Sequence, residues 1–596
     1  MKLFIFTYFF FSLLTLQSQE PYTINYTIND GLPTNTIYSS FQDHKGYIWF
    51  ATDVGVLKYD SKNFTLINTD NGLTDNEVFK IKEDYKGRKW LLTLNGVPTF
   101  IKDDKIYNEQ NSSLIKKIKS KSMFIDFYHD SENNIYLVSR NGEVNVIDKN
   151  DNVKQLNNSP NNTSGIWKIG EYLSVLNSSG IFNPIKNEFK KNSVSKMPLR
   201  VFHDKDETYY SDFNTLNQVH ENGTIKEIVK LKIDVEILDV FKETNSKIWI
   251  CTRKGVFLFE NNEIKNHYFK ENKITGISKD FENNYWLTTL NNGLFLVPSF
   301  QVFQNKIGIN TIAEKNKNEI WFGGNKNDYY IKKKNLFVKK GFNKNWRKDV
   351  ISNVRFFENA TYVIGKSGTK IIETNKINEV KININDLLEK GDTLFLATMY
   401  TSKISKKNLE EYTYDNTYLE RVLDSRTNVL EKVNNSIFIG TNIGLYEYTS
   451  DEKLMFFGDI YNELKSSINK LFFDSENNLL LVATSSKGLI LLDNKKIRNI
   501  ISNKDGLNNN TVNSIEKIKK NQYLIGTNKG VNLLITNKSD YKIINYNSAL
   551  VLKNQKVNAI SYTNDTTYIG TNEKLIYFHY DYFNQEKNKP KIFINN

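Results

Sequence analysis

One short phrase recurs from one end of the chain to the other. It reads GYIWFATDVGVLKYD at Gly46–Asp60, SKIWICTRKGVFLFE at Ser246–Glu260 and NQYLIGTNKGVNLLI at Asn521–Ile535. Aligning the copies on the residue three places before the Thr gives fourteen anchor positions, spaced 32 to 46 residues apart. Self-similarity at such a period indicates a repeat architecture. The anchors are Trp49, Trp90, Tyr136, Ser174, Tyr209, Trp249, Trp286, Trp321, Val363, Phe395, Phe438, Leu481, Leu524 and Tyr568.

Each repeat has the alternation and the turns of four short strands. In the second copy the strand-like runs are Asn63–Asn68, Val78–Asp84, Trp90–Leu94 and Val97–Ile101, separated by Gly-, Asn- and Asp-rich turns. Four short strands in roughly 40 residues form one blade of a β-propeller. Because a propeller holds about 4 to 8 blades, the copies predict an all-β fold: two seven-bladed β-propellers in tandem, with fourteen four-stranded blades.

The ends of the two rings can be placed from the same pattern. We expect an N-terminal propeller at residues 20–303 and a C-terminal propeller at residues 304–586. Tyr22–Ile28 (YTINYTI) fits the slot of a fourth strand, although it precedes the first full repeat. We therefore expect it to pair with the seventh blade near Gly293–Val297, because an open ring would leave strand edges unpaired.

Residues 1–19 have the features of a secretory signal peptide. A basic Lys2 precedes an apolar core from Leu3 to Leu16, which is too short to span a membrane. No other segment approaches 18 apolar residues, so we expect an exported, periplasmic chain without a transmembrane helix. The single cysteine, Cys251, forbids an internal disulfide and is interpreted as a small buried apolar residue.

The net charge of +13 does not predict a nucleic-acid partner. The excess consists nearly entirely of lysines scattered over an Asn-rich chain with only nine arginines. Dispersed lysines on loops and edge strands serve solubility and protect strand edges from pairing. We therefore expect no nucleic acid among the partners.

Known catalytic and metal-binding motifs are absent from the sequence. The six histidines show no helical zinc spacing, and His129-Asp130 falls at the turn between the first and second strands of its repeat. The sequence has no nucleophile elbow, no glycine-rich phosphate loop and no kinase core. We expect no catalytic residue, no metal and no cofactor, and hence not an enzyme.

Ligand-binding residues are expected where side chains depart from the repeat. The anchor tryptophans recur at one slot and are interpreted as packing between blades. Trp167 and Trp346 break the pattern, and Arg347 beside Trp346 suits stacking on a sugar combined with an ionic contact. The loops between second and third strands share a face with the loops that lead into each blade. The ligand candidates are therefore Trp346, Arg347, Arg253, Arg140, Tyr400 and Trp167.

The phrases NDGLPTNTIYSSFQDHKGYIWFATDVGVLKYD at Asn29–Asp60 and KDGLNNNTVNSI at Lys504–Ile515 resemble the two-component-regulator propeller repeat. That family forms the periplasmic sensor region of hybrid and histidine-kinase two-component proteins. In it, an immunoglobulin-like module, a membrane helix and a cytoplasmic kinase follow the propellers. Residues 587–596 resemble the start of such a module, cut short, so membrane attachment is expected only through a C-terminal part missing from this chain.

The resemblance implies a sensor that binds an oligosaccharide and passes the signal to a membrane and kinase part. A homodimer or a signalling partner is implied with it. Two alternatives remain open: a propeller scaffold or carbohydrate-binding protein without signalling, and a propeller enzyme such as a lyase or a glycosidase.

Overall fold

The computed structural model describes residues 20–584, apart from several short segments. The segments left out are 160–161, 170–171, 192–198, 205–206, 221–223, 327, 334–335, 342–349, 358–359, 367, 374–375, 411–418, 538–539, 547–551 and 553–554. The predicted signal peptide at 1–19 and the predicted module start at 587–596 therefore lie outside the described residues. Two further predictions, Trp346 and Arg347, also lie outside them.

The chain divides into two compact units, each of which is a ring of antiparallel sheets. Unit 1 ends at Ser299 and unit 2 begins at Phe300. The division precedes the boundary expected at residues 303/304, because Val302–Asn305 forms a strand of unit 2. Each unit contains seven antiparallel sheets in the described part of the chain. Thirteen of the fourteen sheets have four strands and one has five, which confirms the predicted fold class.

The seven blades of unit 1 follow one another along the chain, and within each sheet the strands pair in chain order. In the seventh blade the fourth strand comes from the beginning of the chain. The predicted pairing is thereby confirmed: Ile24, Asn25 and Tyr26 lie opposite Leu296, Phe295 and Leu294. The strands are blade 1 (Ile37–Gln42, Ile48–Thr52, Gly55–Tyr59, Phe64–Ile67), blade 2 (Val78–Glu83, Lys89–Thr93, Thr99–Lys102, Lys105–Tyr107), blade 3 (Phe124–His129, Ile135–Ser139, Val144–Ile147, Val153–Gln155), blade 4 (Thr163–Ile169, Tyr172–Asn177, Gly180–Asn183, Glu188–Lys191), blade 5 (Leu199–Asp204, Glu207–Asp212, Thr215–Val219, Ile225–Lys230), blade 6 (Ile237–Thr244, Lys247–Thr252, Gly255–Glu260, Glu263–Tyr268) and blade 7 (Ile274–Lys279, Tyr285–Thr289, Leu294–Val297, Ile24–Tyr26).

Unit 2 is closed in the same manner by its own first strand, Val302–Asn305, which pairs with Leu575–Phe578 of its last blade. The strands are blade 8 (Ile309–Asn316, Glu319–Gly324, Asp328–Lys333, Leu336–Gly341), blade 9 (Ile351–Phe356, Thr361–Gly365, Thr369–Ile372, Ile377–Val380), blade 10 (Asp386–Lys390, Thr393–Ala397, Thr401–Ser405, Glu420–Leu423), blade 11 (Thr427–Val433, Ser436–Thr441, Leu445–Tyr448, Leu454–Phe456), blade 12 (Ile468–Asp474, Leu479–Thr484, Leu489–Asp493, Lys496–Ile501), blade 13 (Val512–Lys519, Gln522–Thr527, Gly530–Thr536, Tyr541–Asn545) and blade 14 (Val557–Thr563, Thr566–Thr571, Leu575–His579, Val302–Asn305).

The remaining elements are short. A two-residue strand lies at Glu20–Pro21, and the helices among the described residues have at most five residues each. In the part of the chain that the structure describes, no helix has the length and apolar character needed to cross a membrane. The α-helices are Ser113–Lys117 and Lys406–Glu410, and the 3-10 helices are Ile28–Asp30, Thr69–Asn71, Phe457–Asp459, Asn462–Lys465, Asn503–Asp505 and Tyr580–Asn584.

The recurring Thr-x-x-Gly of the phrase closes the loop between the second and third strands. Thr52 Oγ1 donates to the Gly55 carbonyl at 2.7 Å, and the same bond joins Thr252 to Gly255 at 2.9 Å. Gly55 has a φ of +132°, and a Cβ there would stand 2.4 Å from the Ile67 carbonyl oxygen. The repeat therefore requires both residue types to turn the chain tightly.

The anchor residues pack between neighbouring blades, as the sequence predicts for the tryptophans. Trp49 and Trp90 are almost completely buried. Trp49 of blade 1 packs with Leu91 of blade 2, and Trp90 of blade 2 packs with Phe127 of blade 3. One predicted anchor is wrong by a residue. In blade 9 the slot belongs to Tyr362, which packs toward blade 10, whereas the predicted Val363 points back toward blade 8.

Candidate functional site

One end of each ring is formed by two sets of loops that are joined by backbone hydrogen bonds. In unit 1 the Arg140 amide, in the loop between the second and third strands of blade 3, donates to the Met123 carbonyl in the loop leading into that blade, at 2.9 Å. Blade 6 repeats this bond from Arg253 to Glu236 at 3.4 Å. The two sets of loops therefore share one face, as expected, and this face is called the loop face below.

A cavity of about 570 Å³ opens at the centre of the loop face of unit 1. Its rim comes from the loops, and its wall comes from the first strands of the blades. Ser39, Lys80 and Asp239 lie on that wall, each directly after a β-bulge in its first strand. A bulge re-aims the following side chain, and here it turns these three polar groups to the cavity.

The charged side chains lining this cavity are mainly basic. Lys80, Arg140, Arg200 and Arg253 line it, and Asp239 is the one acidic residue among the described residues of the lining. Three of the nine arginines of the chain therefore meet at one cavity. Like charges grouped between low-dielectric walls favour the binding of anions, and ion pairs of Lys80 with Asp126 and of Arg200 and Arg253 with Glu236 offset part of this positive charge.

Two of the arginines are held in place by one buried carboxylate. Glu236 accepts from Arg200 Nη2 at 2.8 Å and from Arg253 Nε at 2.5 Å. Burial opposes ionisation of Glu236, but the two guanidinium groups outweigh it and hold its pKa below the usual range. Both arginine side chains remain nearly half exposed, so each keeps donors for a ligand.

Arg140 differs from the other two arginines. Its side chain is exposed, and its guanidinium makes no hydrogen bond or ion pair with the residues that the structure describes. A guanidinium presents a rigid fork of donors that matches carboxylate and sulfate groups. Arg140 is therefore the cation of the cavity that is best able to bind a ligand anion.

Asp239 is the one acid among these cations. Burial raises its pKa to about 6, partly offset by hydrogen bonds from backbone amides, of which Ile277 N lies 3.4 Å from Oδ2. The raised pKa lowers the negative charge that Asp239 contributes to the cavity in mildly acidic solution.

Deeper in the ring, charges pair with one another. Asp126 accepts from Lys80, from His203 Nε2 at 3.0 Å and from the Ile166 amide at 3.1 Å. Burial opposes ionisation of Asp126, yet Lys80 and His203 hold its pKa well below the usual range. Burial lowers the pKa of His203 and outweighs the opposite effect of Asp126, which favours the neutral imidazole. This cluster joins blades 2, 3, 4 and 5.

Aromatic side chains complete the wall. Phe79 and Tyr38 line the cavity and are partly exposed, while Phe202 is buried behind it. The Tyr38 hydroxyl donates to Glu77 Oε1 at 2.9 Å, which fixes its ring. Exposed faces of Phe and Tyr beside cations provide both stacking and charge-assisted contacts.

The ring centre of unit 2 carries charges that are satisfied within the protein. Arg355 donates to both oxygens of Asp386 at 2.8 Å, and Asp386 also accepts from the Leu430 amide at 3.0 Å. Burial raises the pKa of Glu516 to about 8, and its Oε1 accepts from the Tyr562 amide at 2.9 Å. These bonds link blades rather than present free donors to a ligand.

The structure brings together only some of the predicted ligand residues. Arg140 and Arg253 line the same cavity. Trp167 is 2% exposed and packs among Leu176, Leu199 and Tyr210, so its burial leaves no face for a ligand.

Tyr400 belongs to the loop face of unit 2, where the Arg421 guanidinium lies 4.3 Å from its ring centre. Trp346 and Arg347 lie outside the described residues.

Three residues that line the cavity were not predicted from the sequence. Lys80, Arg200 and Asp239 lie on first strands. For Lys80 and Asp239 a bulge shifts the alternation of the strand, and this shift cannot be read from the sequence. Arg200 could have been proposed as a ligand residue, because arginine is rare in this chain and its positions are therefore informative. Among the described residues no group of three His, Cys, Asp or Glu side chains is arranged to hold a metal ion.

Comparisons with known proteins agree with this architecture. Residues 31–54 match the family model described as two component regulator propeller. Among solved structures, the extracellular domain of a protein described as a hybrid two-component system from B. thetaiotaomicron is 16% identical with a TM-score of 0.67, over 94% of this chain and 83% of that one. The extracellular domain of a second such protein from B. thetaiotaomicron is 16% identical with a TM-score of 0.41, over 96% and 83%. No curated protein sequence matches the chain.

Proposed function

Because residues 31–54 are a two-component regulator propeller repeat within a tandem-propeller fold, we propose that this chain is the ligand-binding sensor region of a two-component signalling system. It acts outside the cytoplasm, in the periplasm, after export directed by residues 1–19. Binding is passed on to a membrane and kinase part that is not in this chain, through a homodimer or a signalling partner.

The observation that carries this proposal is the cavity of unit 1. Its volume of about 570 Å³ lies within the range of small-molecule sites, roughly 300 to 1,000 Å³. It is lined by side chains of several blades, so a ligand there contacts separate elements of the ring at once. A site of this kind suits a sensor, because occupancy can bias how the blades are arranged.

The proposed ligand is an oligosaccharide that carries a carboxylate or sulfate group. Arg140 supplies the unpaired cation, Arg200 and Arg253 add donors fixed by Glu236, and Phe79 offers a ring face for a sugar. Stacking and a charge-assisted bond together contribute about 2 to 4 kcal/mol. Trp346 and Arg347 remain proposed contributors from their sequence alone.

A second role, as a scaffold that binds another protein, is favoured by one observation in unit 2. Three large apolar side chains on its loop face are strongly exposed: Met399 at 66%, Ile443 at 52% and Ile460 at 59%. A patch of exposed apolar side chains on a surface marks a contact site, and we propose that these three residues belong to one. This role is compatible with the sensor function and does not require the cavity of unit 1.

Calorimetry with purified protein tests the sensor proposal. Acidic and sulfated oligosaccharides are titrated into the wild type and into Arg140→Ala, with Arg421→Ala, an exposed arginine of unit 2, as the matched control. We expect Arg140→Ala to weaken binding more than about tenfold and Arg421→Ala to leave it unchanged. Neutral oligosaccharides of the same length should bind more weakly.

Three further variants locate the site. Phe79→Ala should weaken binding, and Trp346→Ala and Arg347→Ala measure the contribution proposed from the sequence. Binding that is intact in Arg140→Ala and Phe79→Ala would place the ligand elsewhere, and the absence of binding to any oligosaccharide would remove the carbohydrate proposal.

A further inference from the structure

A cleft of about 260 Å³ lies between blades 11 and 12 of unit 2. It opens among the turns between first and second strands and between third and fourth strands, at the end opposite the loop face. Its wall is apolar on one side, from Phe438, Leu480 and Leu492, and its rim carries the amides of Asn434, Asn478 and Asn494. The cleft therefore combines an apolar body with polar groups, as small-molecule sites do.

A fully buried carboxylate faces this cleft. Glu447, in the third strand of blade 11, has 0% exposure and lines the cleft. Neither of its carboxylate oxygens accepts a hydrogen bond from the described residues, and its one ionic partner is Lys495 Nζ, 2.8 Å from Oε1. A buried carboxylate with so few partners is unfavourable unless another group compensates its charge.

The same position in other blades shows how unusual this arrangement is. Lys58 in blade 1 pairs with Asp104 at 2.7 Å, and Lys403 in blade 10 pairs with Glu452 at 3.0 Å. In both pairs the inner residue is a lysine, whose ammonium reaches outward along a flexible stem, and the acid is exposed by 74% and 66%. At blades 11 and 12 the polarity is inverted, so the buried member of the pair is the anion.

Lys495 is able to leave the carboxylate. Its side chain is 55% exposed and extends from a tight turn, where its φ is +66°. An ammonium group so close to water loses little solvation when it moves away, and such half-exposed ion pairs contribute little to stability. Lys495 is therefore an exchangeable counter-ion of Glu447.

We propose that this cleft binds a small organic amine. The protonated amino group of the ligand displaces Lys495 and pairs with Glu447, while the body of the ligand packs on Phe438 and Leu480. The amides of Asn478 and Asn494, which already bond to each other at 2.7 Å, offer acceptors and donors to hydroxyl groups near the amine. This site selects cations and lies in unit 2, so it is independent of the anion-binding cavity of unit 1 and of the proposed sensor function.

Titration calorimetry with two amines and their uncharged counterparts tests the proposal on the full chain. The probes are n-butylamine against 1-butanol, and glucosamine against N-acetylglucosamine. We expect both amines to bind and both neutral compounds to fail. Tighter binding of n-butylamine would indicate a ligand that is apolar beyond its amino group, and tighter binding of glucosamine would indicate a ligand that carries hydroxyl groups. Binding of each neutral compound as tightly as its amine would overturn the proposal.

Two variants separate the site from the fold. Glu447→Gln should abolish amine binding, and Lys495→Ala, which leaves the buried carboxylate without its competing ammonium, should tighten it about fivefold. Lys403→Ala removes the ion pair of opposite polarity at the equivalent position between blades 10 and 11, and it should leave binding unchanged. Unchanged or weaker binding in Lys495→Ala would overturn the proposal even if Glu447→Gln fails to fold, and so would absence of amine binding to both the wild type and Lys495→Ala.

Discussion

At the scale of single residues, the acid in the turn between first and second strands has two roles. Asp43, Asp84 and Asp280 accept backbone amides of their own turns, as expected for turn formers. Each also accepts the indole N–H of the tryptophan six residues later, at 2.7 to 3.0 Å. The second bond orients the anchor tryptophan between blades. It could not be predicted from the sequence, because the period of two in a strand does not indicate that residues six apart across a turn are in contact.

Replacing Asp280 should therefore destabilise unit 1. Asp280→Ala leaves the Trp286 indole and the turn amides without an acceptor, and we expect the free energy of unfolding to fall by about 2 kcal/mol. Asp280→Asn keeps an acceptor for the turn and should lose less. Urea unfolding followed by tryptophan fluorescence measures both variants, and equal losses in the two would show that the turn bonds contribute nothing.

Asp239 should make the stability of unit 1 depend on pH. Burial raises its pKa in the folded protein from 3.8 to about 6, so folding favours the protonated form. The wild type therefore loses stability as the pH rises from about 4 to 6, and the loss is complete above 6. Asp239→Asn should be more stable than the wild type at pH 7 and equal to it near pH 4. Unfolding curves across this range check the prediction, and a constant difference at all pH values would contradict it.

At the scale of the elements, the strand Ile24–Tyr26 holds the first ring closed. It pairs with the third strand of blade 7, and the Tyr26 ring stacks on Trp286 at 6.1 Å and meets Phe64 of blade 1 at 5.5 Å. The strand thus contacts both blades that meet at the closure. Its position was readable from the sequence because YTINYTI carries the fourth-strand pattern in a place where no blade precedes it.

Deleting residues 20–29 should lower the melting temperature of the protein clearly. The deletion exposes the edge of blade 7 and removes the Tyr26 contacts. Tyr26→Ala removes the ring contacts alone and should produce a smaller shift. Differential scanning calorimetry compares the three proteins, and an unchanged transition in the deleted form would show that closure does not depend on this strand.

The repeat made the elements predictable, whereas the site was predictable only in part. Spacing and turn residues determine where each blade falls, and the misplaced anchor at Val363 shows the limit when two adjacent apolar residues compete for one slot. The placement of Arg140 and Arg253 on the loop face could be predicted because both lie in loops between second and third strands, and they line the same cavity. The burial of Trp167 could not be predicted from the sequence. Tryptophan is unusual at this position of the repeat, but the position itself faces the neighbouring blade.

At the scale of the whole molecule, the two rings are closed independently. Unit 1 uses a strand from before its first blade, and unit 2 uses Val302–Asn305 in the same way. Each ring therefore contains all the strands that its own closure needs. The division at Ser299 and Phe300 keeps that second closing strand intact.

We expect residues 300–586 to fold when produced alone. A protein beginning at Phe300 retains the closing strand, whereas one beginning at Ile307 lacks it and should melt at a lower temperature or aggregate through the open edge of blade 14. Circular dichroism and size-exclusion chromatography compare the two. Identical melting of both would show that the fourth strand of blade 14 is dispensable.

The closing strands also determine when each ring can close during synthesis. Ile24–Tyr26 is synthesised first, and its partner Leu294–Leu296 follows more than 260 residues later. Val302–Asn305 is likewise synthesised more than 260 residues before its partner Leu575–Phe578. Contacts between such distant segments form slowly, and unpaired strands are prone to wrong pairing in the meantime. Each ring can therefore close only after the third strand of its last blade has been made, and until then the closing strand lacks its partner and is accessible to a chaperone.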